Sequence, residues 1–151
     1  MATVRVQAED FDTGAEIEKV SAGRRDIGAV ASFVGLCRDE GGRLAALELE
    51  HYPGMAEAEL GRVVAEAESR WPLDAVTVIH RYGKIAPGAR IVLVVTASSH
   101  RVAAFEACEF LMDYLKTRAP FWKKEHLIDG TSGAWVEAKG DDDERTNRWN
   151  G

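Results

Sequence analysis

Residues 75–117, AVTVIHRYGKIAPGARIVLVVTASSHRVAAFEACEFLMDYLKT, decide the fold. Two runs of aliphatic and β-branched residues, Ala75–Arg81 and Ile91–Ala97, are parted by the turn-forming Ala86, Pro87 and Gly88, which predicts two strands. Ser98 and Ser99 then stand where a helix begins, and the spacing predicts that helix to about Thr117 with the serines as its caps. Ala119 and Pro120 close it.

Working outward, Phe121–His126 and Ala134–Glu137 read as short strands around a loop at Asp129–Gly133. Upstream, Leu60, Val63, Val64 and Ala67 recur at helical spacing within Met55–Trp71, and Pro72 stops that amphipathic helix. Leu44–His51 alternates Leu47 and Leu49 with Glu48 and Glu50 as a strand does. Ile27–Leu36, rich in small and β-branched residues, predicts a buried strand, joined to Leu44–His51 as a hairpin through a flexible loop at Arg38–Gly42. Thr3–Gln7 predicts a short strand, and Thr13 a cap for a brief helix ending near Ser21 and Gly23. This order of elements, without internal repeats or a glycine-rich phosphate loop, favours one α+β sandwich over residues 1–139. Residues 140–151 form a polar tail, mobile unless docked.

The chain has 151 residues, 46% of them hydrophobic, enough for one domain with a core. A formal charge of -6 argues against whole-surface attraction to nucleic acid or anionic membrane, so an anionic ligand must be caught locally. No apolar run approaches membrane-spanning length and no signal sequence opens the chain, which predicts a cytoplasmic protein. Cys37 and Cys108 are the two cysteines, without a CxxC, and are expected to stay reduced. Four histidines without HxH or HExxH spacing give no reason to expect a metal.

Chemistry concentrates in a few segments. Ser98-Ser99-His100-Arg101 lies at a helix start, where free N–H groups and the helix dipole favour an anion; a plain cap followed by solvated first-turn side chains fits as well. In Tyr114–Glu125, cations interleave with aromatics on both sides of a proline bend. A lysine beside apolar walls or other cations loses preference for its charged form, which makes Lys116 and Lys123 candidate acid, base or nucleophile. The plainer alternative has Lys116 and Arg118 favouring a helix C-terminus and Phe121 and Trp122 packing. Arg38 leads into a Gly-Gly loop, as a ligand-facing or a merely solvated cation. Cys37 is read as a small buried hydrophobe rather than a nucleophile, and His51-Tyr52-Pro53-Gly54-Met55 as packing at a turn.

With GAVASFVGLCRDE, LELEHYPGM, RWPLDAVTVIHRYGKIAPG, the run SSHRVAAFEACEFLMDYLKTRAPFWKKE and the closing WVEAK in this order, the chain resembles the molybdopterin synthase large-subunit family from about Gly28 to Trp149. The resemblance implies an α/β hammerhead-type fold with a mixed or antiparallel sheet and a small β subdomain. It implies a homodimer of large subunits within a heterotetramer, each docking a small ubiquitin-like sulfur carrier. The implied reaction carries sulfur from the carrier's C-terminal thiocarboxylate to cyclic pyranopterin monophosphate, forming the molybdopterin dithiolene without a resident cofactor. Carried over by position, substrate binding falls on Leu36, Cys37, Arg38, His100, Arg101, Lys116, Lys123, Lys124 and Glu125, with Lys116 and Lys123 catalytic. Arg38, His100 and Arg101 are then expected to meet the phosphate.

Two points depart from that pattern. Leu36 stands where some members have lysine, so a phosphate contact made there must come from backbone or neighbours, and Lys139 stands where arginine occurs and is read as solvated. Since the sequence ends Trp149-Asn150-Gly151 without a Gly-Gly tail, the sulfur carrier is expected to be a separate chain. Two other classes remain: a binding module that captures a phosphorylated metabolite or a carboxylate without chemistry, and a single-strand nucleic-acid binder using Lys116, Arg118, Phe121, Trp122, Lys123 and Lys124.

Overall fold

In the computed structural model, the described residues are 1–118, 120–137, 147, 149 and 150, with the side chain of Glu137 left aside. Strand β1 is Ala2–Gln7, helix α1 Thr13–Ser21, β2 Ala29–Leu36, β3 Leu44–His51, α2 Met55–Arg70, β4 Ala75–Arg81, β5 Gly83–Ile85, β6 Arg90–Ser98, α3 Arg101–Arg118, β7 Phe121–Leu127 and β8 Val136–Glu137. The α+β class expected from the sequence is the class found. The expectations for Ala119, Lys139 and most of the tail fall outside the described residues.

The larger sheet runs β1-β4-β6-β2, with β1 parallel to β4 and the other pairings antiparallel. Strands β4 and β6 read as continuous apolar runs because both of their faces are covered. Val76, Val78, Val92 and Val94 face α2 and α3, packing with Leu60, Val63, Val64, Phe110 and Leu111. Ile79, Leu93, Val95 and Ala97 face the other way, joining Phe11 and Val20. Helix α1 is capped by Asp12, whose carboxylate accepts from the Ala15 N–H at 3.1 Å, rather than by Thr13.

The smaller sheet runs β5-β3-β7-β8 and is antiparallel throughout. Two expectations are corrected here. Strands β2 and β3 do not form a hairpin, since they lie in different sheets and β3 pairs with β7 instead. Nor is β2 a buried strand: it is the edge of the larger sheet, with Val30, Phe33 and Leu36 exposed.

Gly28 is fixed by its neighbours. A Cβ there would sit 2.2 Å from the Ser99 carbonyl oxygen, and the Gly28 N–H donates to the Ser98 carbonyl at 3.0 Å. Only glycine lets β2 approach the turn that launches α3 this closely. At the far end of the chain, Trp149 is docked rather than solvated. Its ring packs edge-on against Trp71 and Phe110, its Nε1–H donates to Asp113 at 2.7 Å, and Arg70 donates to its carbonyl at 2.7 Å.

Candidate functional site

Helix α3 presents Arg101, Phe105, Cys108, Met112 and Lys116 along one stripe, because steps of three and four residues return to the same face. Phe105, Cys108, Met112 and Lys116 line a cleft of ≈ 650 Å³ whose opposite wall is Ala31, Ser32 and Phe33 of β2, with Glu109 and Asp113 beside them. The exposed Lys116 therefore stands at the edge of a largely apolar wall. Phe33 and Met112, which the sequence reading did not select, form that wall.

His80 was also missed, being embedded in an apolar strand. Its ring stacks on Phe121 with centroids 3.9 Å apart and planes 15° off parallel. Phe121 in turn meets His51 at 5.9 Å, and His51 meets Tyr82 at 4.5 Å. This column joins β4 of the larger sheet to β3 and β7 of the smaller one. His80 Nδ1 lies 2.9 Å from the Arg81 carbonyl oxygen, which can only accept, so Nδ1 carries the proton. Burial, reinforced by the charges of nearby Lys116 and His51, pushes His80 from its ordinary 6.5 down to about 4. The unfolded chain takes up a proton near pH 6.5 and the folded chain resists it until about 4, so His80 costs stability progressively as pH falls through that window. Urea unfolding from pH 7 to 4 is expected to show a shallower loss for His80→Phe, which keeps a ring against Phe121, than for the parent chain. Equal slopes would remove His80 from the account.

Strand alternation sorts the remaining candidates. Phe121, Lys123 and Glu125 share one face of β7 with Leu49 and Leu47 of β3, above the small core of Cys37, Leu44, Leu49 and Ile85. Lys124 lies on the opposite face, its ammonium 5.5 Å from the Trp135 ring centre. The structure thus groups Lys123 with Glu125 and turns Lys124 away from both. The same geometry removes the stacking platform of a nucleic-acid binder, because Phe121 is buried and the two lysines diverge.

Cys37 is 2% exposed, its Sγ donates to the Ile85 carbonyl at 3.8 Å, and burial raises its thiol above the ordinary range, with the charges of Asp39 and Glu125 adding to the effect. That is an inert thiol. Leu36 and Arg38 flank it in solvent, and Arg38 pairs with Glu40. His100 and Arg101 are exposed at the start of α3. Ser98 belongs to β6 and its hydroxyl donates to the Pro72 carbonyl at 2.8 Å, so it ties a loop down rather than capping α3. Arg101 and Lys116 are fifteen residues apart on α3, about 22 Å at the rise of a helix. One chain cannot bring both ends of the stripe to one small ligand. Among the described residues, no group of three or more His, Cys, Asp or Glu is placed to hold a metal, and no helix is long and apolar enough to cross a membrane.

Against known proteins, residues 6–118 match the family described as MoaE protein. The chain is 68% identical over 147 residues to the molybdopterin synthase catalytic subunit of Mesorhizobium japonicum, covering 97% of this chain and 92% of that protein. The molybdopterin biosynthesis MoaE protein from Burkholderia ambifaria superimposes with a TM-score of 0.87 at 51% identity, covering 100% of this chain and 99% of that one. The X-ray structure of molybdopterin synthase from Staphylococcus aureus gives 0.77 at 30% identity, covering 87% and 94%.

Proposed function

The chain belongs to the MoaE family, whose relatives include molybdopterin synthase catalytic subunits, and from that premise we propose how its own residues carry the reaction. A small ubiquitin-like subunit brings sulfur as a C-terminal thiocarboxylate, and the substrate is cyclic pyranopterin monophosphate. The thiocarboxylate sulfur bonds to an oxygen-bearing side-chain carbon of the pterin as that carbon's bond to oxygen breaks, the oxygen leaving as water or on the opened phosphate. A further water then cleaves the thioester at the carrier's carbonyl, leaving sulfur on the pterin and releasing the carrier as a carboxylate. Two rounds build the dithiolene. The observation that carries this reading is Lys116 at the mouth of an apolar cleft walled by Phe33, Phe105 and Met112. A narrow glycine-ended tail suits such a cleft, and an ammonium at its edge stabilises the oxyanion of the tetrahedral adduct. Lys123, with Glu125 beside it on β7, handles protons on the pterin side.

The phosphate falls to Arg38, His100 and Arg101 by charge-assisted donation. Since Arg101 and Lys116 of one chain stand about 22 Å apart, the reading requires a second copy lying antiparallel along the α3 stripe. A two-fold axis near Cys108 and Glu109 would bring the second copy's His100 and Arg101 to this chain's Lys116. Such a dimer would cover the edge of β2 at Val30 and roof the cleft between Phe33 and the exposed Phe105, leaving it open at the Lys116 end, where the tail enters. With a small subunit on each copy the assembly is a heterotetramer, and its setting is the cytoplasm. The test is turnover: the purified chain, thiocarboxylated small subunit and cyclic pyranopterin monophosphate are mixed and dithiolene is followed. Product supports the reading, whereas binding of both components without product would turn the site into a binding module.

A further inference from the structure

We propose that the cleft where β3 runs into α2 binds an organic cation, a guanidinium or alkylammonium group, in an aromatic cage closed by Glu50. Three sequence marks, HYPGM, FWKKE and WVEAK, contain aromatic residues that the sulfur-transfer reading does not use. Tyr52, Trp122 and Trp135 from these marks line one cleft of ≈ 240 Å³, together with Glu50 and His51. His51 is accounted for by its stack on Phe121 and its tilted contact with Tyr82. Tyr52 is not, being 60% exposed, and Trp135 is 42% exposed. Large aromatics left in solvent around a concavity mark a binding surface more often than a fold requirement.

The geometry specifies the ligand's charge. Tyr52 and Trp122 meet edge-on, centroids 5.3 Å apart and planes at 89°, forming two perpendicular walls. Trp135 already presents its face to a cation, the Lys124 ammonium. Glu50 pairs directly across the strands with Trp122, which puts its carboxylate on the same face of the sheet. Its neighbour on that face, Glu48, is held by His126 at 2.8 Å, while Glu50 has no cationic partner among the described residues. Ring faces and a carboxylate both attract a cation, and both repel phosphate or carboxylate. A planar, weakly hydrated guanidinium gains most, since it can lie on an indole while donating to Glu50.

The test follows the indole N–H resonances of Trp122 and Trp135 in the full chain during titration with methylguanidinium, with N-methylurea as the neutral isostere. Saturable shifts with methylguanidinium alone are expected. Glu50→Gln is expected to weaken binding at least tenfold, and Lys124→Gln to strengthen it by removing the competing cation. N-acetylarginine amide identifies the source: binding at least as tight as methylguanidinium points to an arginine side chain on a protein, and weaker binding to a free small cation. Equal shifts with N-methylurea, unchanged affinity in Glu50→Gln, or no saturation in the parent chain would overturn the proposal. Trp135→Phe, at an exposed position, checks the assignment without risk to the core.

Discussion

Lys116→Ala is expected to slow dithiolene formation by about 10²–10³-fold in single turnover, the usual cost of deleting one donor that stabilises a developing oxyanion. Folding is expected to survive, because Lys116 is exposed near the end of α3 and alanine is the better helix former. The unfolding midpoint should therefore match that of the parent, separating lost chemistry from lost structure. Lys116→Arg sharpens the reading. It keeps the positive charge but cannot give up a proton, so partial activity would assign Lys116 an electrostatic role, and activity as low as in the alanine variant would assign it a proton or nucleophile role. Affinity for the small subunit, measured separately, is expected to change little. Parent-like turnover in Lys116→Ala would overturn the assignment.

Much of this was legible in the sequence, and the failures have physical causes. The runs at Ala75–Arg81 and Ile91–Ala97 announced strands because both faces of β4 and β6 are covered, so no solvent face interrupts the apolar pattern. The same composition in β2 misled, since its exposed Val30 and Phe33 read like core residues and edge position depends on pairing that local sequence does not encode. The hairpin expectation failed for a related reason: β3 pairs with β7, whose residues lie 70 to 83 positions further along the chain, and such contacts leave no local signature. In the site, the lysine-bearing run stood out by its charge and aromatic content. Its sorting into Lys123 on one face and Lys124 on the other follows from strand alternation. His80 stayed hidden because a histidine in an apolar strand carries no motif, and only its stack on Phe121 and its closeness to Lys116 reveal it.

Mixing two inactive variants is expected to restore activity. The separation of Arg101 from Lys116 means that, if both serve one substrate, each site takes them from different copies. Arg101→Ala and Lys116→Ala homodimers should then each lack a necessary group at both sites. Chains exchanged between them form mixed dimers in which one site carries both defects and the other carries neither. With random exchange half of the dimers are mixed and each holds one intact site, so activity should recover to about a quarter of the parent level, the statistical result for an isologous dimer. Exchange has to be shown, for instance by refolding the variants together and isolating doubly tagged dimers. If instead Arg101 and Lys116 serve separate steps within one chain, or Arg101 is only a solvated first-turn residue, mixing brings no gain over the sum of the parts. Recovery in proportion to the mixed dimer would tie the anion-binding end of α3 in one copy to the lysine end in the other. No recovery with proven mixed dimers would sink the shared site and return the phosphate to Arg38 and its neighbours alone.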